Sequence, residues 1–403
     1  MSQHICAWSS SLDLVQDIDH NNMTASSVCS SSLMLPLAII LLLCSHAVAS
    51  DGAGVGPSCY TRMFSFGDSL TDTGNVAAVS PNLSVTALPY GETFFHRATG
   101  RFSDGRLIVD FIAEALRLPF LPAYLRGKTA SDFRQGVNFA VAGATALPLS
   151  VFRDMGLDMR IIPPFPLDVQ LEWFNRMLSL LAPTEQERKD VMENSLFLMG
   201  KIGSNDYNHP FFQNRSFETE IKPLVPKVIA KIEHAVKVLI GLGAKTVLVP
   251  GVAPTGCTPR SLAMFPSNNP GDYDQAGCLR WLNDFAEYHN HLLRTMLLQI
   301  PSDPTVTIIY ADYYSSIYEI TSKPLSHGFS RGGALVACCG DGGPYNSGTL
   351  FSCNATSLLC PDPSKRISWD GQHYTEAAYH FVSRGVLNGP YASPPILSKC
   401  KCL

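Results

Sequence analysis

The chain contains no lysine or arginine before Arg62, and across its 403 residues only 16% are charged, with a net charge of −4 and a pI near 6.2. Three of the negative charges, Asp13, Asp17 and Asp19, lie in the first 49 residues. The remainder is close to neutral, which excludes the basic surface that nucleic-acid binding requires. Membrane-length apolar runs are also missing. Leu33–Leu43 (LMLPLAIILLL) is too short, and Pro36 and His46 interrupt its surroundings, so no stable membrane span is expected. Internal repeats, coiled-coil heptads and low-complexity tracts are absent apart from the glycine-rich stretch 328–348. No linker divides the chain. With 46% hydrophobic residues, it has enough apolar material for one large domain and a substantial core.

The run at Leu33–Leu43 is followed by Ala47-Val48-Ala49, a small-x-small cleavage pattern, and the pair reads as a secretory signal peptide. The stretch ahead of it is unusually long and lacks basic residues, so Met23 and Met34 are alternative starts. Residues 1–49 are therefore expected to be a signal peptide with an atypical N-terminal extension, and 50–403 a single domain. Cysteine usage agrees with export. Cys6, Cys29 and Cys44 fall in the discarded segment, leaving nine of twelve, an odd number that requires at least one thiol outside intrachain pairing. Cys257 with Cys278 forms one expected bridge. Cys338, Cys339, Cys353 and Cys360 form a second stapled region, and Cys400 and Cys402 sit on the tail. The irregular 338–360 spacing argues against a zinc site. Glycosylation sequons at Asn82, Asn214 and Asn354 fit surface loops.

Short apolar runs at Met63–Phe66, Val137–Val141, Ser195–Ile202, Thr246–Val249 and Thr305–Tyr310 read as strands. Between and after them, helical patterns occupy 107–116, 167–181, 221–240, 279–300 and 374–387, with Asp104 placed to cap the first. Strands alternating with long helices predict a parallel sheet covered on both faces, an α/β fold.

Candidate chemistry gathers at the ends of these strands. Phe64-Ser65-Phe66-Gly67-Asp68-Ser69 runs from a strand into a small polar turn, the edge where open α/β sheets hold their ligands. Ser69 there is a candidate nucleophile. Asp370 and His373, three apart at a helix start, supply a carboxylate that can orient an imidazole. Gly143 can present an unhindered backbone N–H and Asn205 a side-chain amide; with the Ser69 N–H they would make a three-donor oxyanion hole. Gly328-Phe329-Ser330-Arg331-Gly332 matches the nucleophile-elbow pattern, but neither the preceding strand nor the following helix that motif needs is present.

Four blocks stand in order: Phe66-Gly67-Asp68-Ser69-Leu70-Thr71-Asp72-Thr73-Gly74-Asn75, Asn138-Phe139-Ala140-Val141-Ala142-Gly143-Ala144, Gly203-Ser204-Asn205-Asp206-Tyr207 and Trp369-Asp370-Gly371-Gln372-His373. In these the chain resembles the plant GDSL esterase/lipases of the SGNH hydrolase superfamily, from about Arg62 to Pro390. Arg101–Arg106 (RFSDGR) and Cys338-Cys339-Gly340 also match the plant branch. The resemblance implies a three-layer flavodoxin-like fold with a five-stranded parallel sheet and neither cofactor nor metal. It implies Ser69 as nucleophile, His373 as general base, Asp370 as its orienter, and an oxyanion hole of Ser69, Gly143 and Asn205. Two residues depart from the family pattern: Lys201 stands where an acid is frequent, and Tyr374 where proline usually follows the histidine.

The expected activity is that of a secreted, monomeric serine esterase acting through an acyl-serine. Its substrates would be short-chain or acetyl esters of plant metabolites, or of cell-wall polysaccharide. An acyltransferase using the same acyl-enzyme is the alternative, followed by a non-catalytic secreted wall-binding protein.

Overall fold

The computed structural model describes residues 59–127, 129–300, 303–348 and 353–400. The expected signal peptide, its extension and Cys402 lie outside the described residues.

Five short strands form the expected parallel sheet. They are β1 (Arg62–Ser65), β2 (Gly136–Asn138), β3 (Ser195–Leu198), β4 (Thr246–Pro250) and β5 (Thr307–Ala311). A two-stranded hairpin, β6 (Cys339–Gly340) with β7 (Leu358–Leu359), stands apart from the sheet. A further strand, β8 (Ala392–Ser393), joins the edge of the main sheet antiparallel to β5, so the sheet has six strands rather than five. Its two residues sit among Pro390, Pro394 and Pro395, which hide any strand signal.

The order β2-β1-β3-β4-β5 is the flavodoxin-type arrangement. Register places Phe64 beside Val137 on one side and Phe197 on the other. Alternation along the strands divides the core in two. Phe64, Val137, Phe197 and Val247 pack with helices α2 (Leu167–Leu181) and α4 (Val225–Gly241). Met63, Leu196, Leu198, Leu248 and Ile309 pack with α1 (Ile108–Ala115), α6 (Tyr313–Ser322) and α7 (Glu376–Asn388). Two further helices, α3 (Ser204–Phe212) and α5 (Arg280–Gln299), carry residues of the site. Strands buried on both faces explain the near-continuous apolar runs read from the sequence.

One cap differs from expectation. Helix α1 starts at Ile108, too far along for Asp104 to reach its free N–H groups. Asp110 accepts the Leu107 N–H instead, at 2.9 Å, and forms a buried two-point pair with Arg101. Asp104 accepts the N–H of Glu376 at 2.7 Å, in the first turn of α7, so it ties the 100–106 loop to the helix that follows His373.

Disulfides join Cys257 to Cys278, Cys338 to Cys360, Cys339 to Cys353 and Cys59 to Cys400. The last closes the domain near its two ends, a pairing the sequence did not suggest. Asn82, Asn214 and Asn354 are all exposed.

Phe174 on α2 meets Phe64, Phe66, Phe139 and Phe197 with ring centroids 5.5–6.0 Å apart, all near-perpendicular. It is fully buried beneath the strand that leads to Ser69. Phe174→Ala should lower stability by about 3–5 kcal/mol in urea titration at unchanged m-value, the cost of an aromatic-sized cavity that cannot collapse.

Candidate active site

The strand order turns about β1: the chain runs from β1 to β2 on one side and to β3 on the other. The carboxyl ends of these three strands lead into Ser69, Gly143 and Asn205 respectively. Gly67, at φ +133°, makes the turn after β1; a side chain there would strike the Lys201 carbonyl at 2.9 Å. Gln170 from α2 clamps this glycine, accepting its N–H at 2.8 Å and donating to its carbonyl at 2.9 Å. Thr71 and Asp72 then donate their N–H groups to the Asp68 carbonyl, which fixes Ser69 on a tight turn.

Asp72 does more than follow the serine. Its carboxylate accepts the N–H groups of Gly74, Asn75 and Val76 and, from the next loop, Ala142, at 2.6–3.0 Å. Asn75 donates to the carbonyls of Asn138 and Ala140, and Asn138 donates back to Thr71. The first two sequence blocks are thus one hydrogen-bonded unit. Helix α3 fixes the remainder of the Gly143 loop. Asn205 donates its amide to Ala144 O at 3.1 Å, His209 Nε2 donates to Gly143 O at 2.8 Å, and Asp206 accepts Ala146 and Leu147 N–H at 2.8 Å each.

From the far end of the chain, His373 Nε2 comes within 2.8 Å of Ser69 Oγ, and its Nδ1 lies 2.7 Å from Asp370 Oδ2. Asp370 Oδ1 accepts the N–H groups of Gln372 and His373. Burial opposes ionisation of Asp370, but the His373 charge and these hydrogen bonds outweigh it, holding the carboxyl below its ordinary range. The serine and histidine are 6% and 2% exposed, so the Ser69 hydroxyl sits in a mostly dry site. The Phe102 ring lies against the imidazole, centroids 4.4 Å apart.

The loop carrying His373 does not end a strand. It is held by Trp369 N–H to His373 O, and by Cys338 and Cys339 N–H to the carbonyls of Ser368 and Trp369. Those cysteines are both bridged, to Cys360 and Cys353, so the segment that holds this loop is itself tied to residues 353–360. Ser330 does not stand on a strand-to-helix elbow: no strand precedes it, and its hydroxyl donates to Lys365 O.

A family model described as GDSL-like lipase/acylhydrolase matches residues 63–386. The chain belongs to the GDSL lipase/acylhydrolase family. Among curated relatives, a GDSL esterase/lipase of Arabidopsis thaliana is 47% identical over 347 residues, covering 85% of this chain and 87% of the relative. Another from the same plant is 48% identical over 357 residues, covering 85% and 90%. Sinapine esterase of Brassica napus is 46% identical over 353 residues, also covering 85% and 90%. Family membership identifies the protein as a carboxylic ester hydrolase.

Two residues beside this GDSL site escaped the motif reading. Tyr90, 280 positions before Asp370, donates its hydroxyl to Asp370 Oδ2 at 2.8 Å. Lys201, noted from sequence only as a departure, is buried and pairs with Asp68 at 3.3 Å. A positive charge is tolerated there because the carboxylate preceding Ser69 neutralises it.

Burial pushes the Asp206 carboxyl up to about 7, against the pull of its two N–H donors. A raised carboxyl binds its proton more tightly in the folded chain, so its contribution to stability is complete below the unfolded value of about 4 and is lost as pH rises through 7. The urea midpoint should therefore fall between pH 5 and pH 8 more steeply in the native protein than in Asp206→Asn, measured side by side.

Proposed function

We propose that the protein hydrolyses carboxylic esters through an acyl intermediate on Ser69, with His373 as general base and Asp370 as its orienter. The contact that carries this reading is Ser69 Oγ to His373 Nε2, 2.8 Å across 304 positions of sequence. With Asp370 ionised and bound to Nδ1, the neutral ring keeps its proton on Nδ1 and offers the Nε2 lone pair to the hydroxyl. As Ser69 attacks the ester carbonyl, its proton passes to Nε2 and negative charge gathers on the carbonyl oxygen. The Ser69 and Gly143 N–H groups and the Asn205 amide stabilise that charge. The imidazolium then protonates the leaving alcohol. Water, activated by the same ring, releases the acid and restores the serine.

The domain spanning 50–403 acts in this reading as a monomer, after export and removal of residues 1–49. Four disulfides support an oxidising compartment. The substrates are short-chain or acetyl esters of small plant metabolites or of polysaccharide. The similarity to sinapine esterase favours a small ester.

Ser69→Ala should abolish both nitrophenyl acetate hydrolysis and fluorophosphonate labelling, and full turnover by that variant would refute the mechanism. Asn205→Ala should retain labelling and lose about 10²–10³ in kcat, as expected for one missing oxyanion donor. Tyr90→Phe removes a donor from Asp370 and strengthens that carboxylate's hold on the imidazolium proton. Its kcat/KM should fall roughly tenfold, with the acidic limb of the pH profile displaced to higher pH and little change in melting temperature.

A further inference from the structure

A cleft adjoins the site. Its wall includes Leu70, Ser204, Gln372 and Tyr374, the chain neighbours of Ser69, Asn205 and His373, which sets the cleft beside the proposed reacting centre. The flanks are aromatic. Phe211, Phe265 and Phe285 form edge-to-face contacts, and Phe212 is covered by the Arg260 guanidinium at 3.7 Å. Such walls favour a flat ring over a flexible alkyl chain.

Polar groups of the same cleft lack partners of their own. His289 and Ser204 are 1% and 3% exposed, and neither His289 Nε2 nor Ser204 Oγ has a hydrogen-bond partner. Burial and the nearby Lys201 charge hold His289 down to about 3, so the ring is neutral. The Tyr207 hydroxyl lies 2.8 Å from Nδ1 and has no other acceptor among the described residues, so we assign it as the donor in this pair, which leaves the ring proton on Nε2. Lys201 also borders the cleft, with two ammonium hydrogens beyond the one facing Asp68. Buried donors without partners cost stability until something accepts from them. No aspartate or glutamate lines the cleft, while Lys201 and Arg260 do, so a cationic group is disfavoured there.

We propose that this cleft is the specificity site of the esterase and binds an oxygen-substituted aromatic ring, whose hydroxyl or ether oxygen accepts from His289 Nε2 and interacts with Ser204 Oγ. The assignment rests on ester hydrolysis at Ser69. The ring enters on either half of the ester, as an aromatic acyl group or as the aromatic alcohol of a short-chain ester.

The test compares kcat/KM for two substrate pairs: methyl cinnamate with methyl 4-hydroxycinnamate, and benzyl acetate with 4-hydroxybenzyl acetate. The ring hydroxyl should raise kcat/KM at least about tenfold in one pair, because a site built around a hydroxyl penalises the analogue lacking it. The pair that responds identifies the half of the ester held in the cleft. Ser204→Ala and His289→Gln should each cut that advantage to less than about threefold. Ser204→Ala, which only removes a hydroxyl, keeps the test decisive if His289→Gln fails to fold. In a second measurement, Ser69→Ala should bind the hydroxylated product of the responding pair more tightly than its unsubstituted analogue by calorimetry. No hydroxyl advantage in either pair, or one that persists in Ser204→Ala, overturns the assignment. Nitrophenyl acetate turnover separates the two levels: if it survives in Ser69→Ala, the hydrolytic reading itself falls, whereas Ser69-dependent turnover without a hydroxyl preference removes only the cleft.

Discussion

The backbone leaving β1, β2 and β3 is buried, and beyond the first N–H groups, which still bond to a neighbouring strand, its polar groups must find partners elsewhere. That requirement organises the site. Buried amides without partners cost about 1–3 kcal/mol each, and this edge places a long run of them out of water. Asp72 answers four of them, Asp206 two, and Gln170, Asn75 and Asn138 several others. The polar residues of the motif blocks are therefore chiefly structural acceptors and donors. Ser69 is held in place because the residues around it cannot move without stranding a buried amide.

This division explains what could be read from the chain alone. The five parallel strands and the long helices were legible because each has an apolar pattern longer than a turn. The strand ends were legible because glycine, serine, asparagine and aspartate follow them at once. Helices such as Asn75–Val79 and Pro259–Met264 carry five or six residues, too few for a periodic signal. The β8 strand is two residues among prolines. Asp104 was read as a local cap, yet its partner lies 272 positions later. Local propensity cannot report such a contact. Tyr90 is hidden for the same reason, since only the folded chain brings its hydroxyl to Asp370.

Lys201 shows how a departure from a family pattern is absorbed. An unpaired buried ammonium would carry a penalty of several kcal/mol. Asp68 already sits at the base of the nucleophile turn, with one carboxylate oxygen taken by Leu70 N–H and the other free to meet the lysine. The ion pair thus links the turn carrying Ser69 to the segment leading into α3. It also brings a positive charge to the border of the aromatic cleft, where a frequent acid would have brought a negative one.

The two halves of the proposed triad are supported differently. Ser69 stands on a turn locked to three parallel strands, whereas His373 and Asp370 lie on a loop with no strand ending beneath it. That loop hangs on backbone bonds from Cys338 and Cys339, and both cysteines are fixed by disulfides to the segment 353–360. Asp104 and Tyr90, from the 90–104 loop, hold its other side through Glu376 and Asp370. A bridged hairpin and a loop clamp do for His373 and Asp370 what the sheet does for Ser69. The 2.8 Å contact between Ser69 and His373 therefore depends on two separately built frames meeting in register, and the disulfides of Cys338 and Cys339 support that contact without touching either residue's side chain.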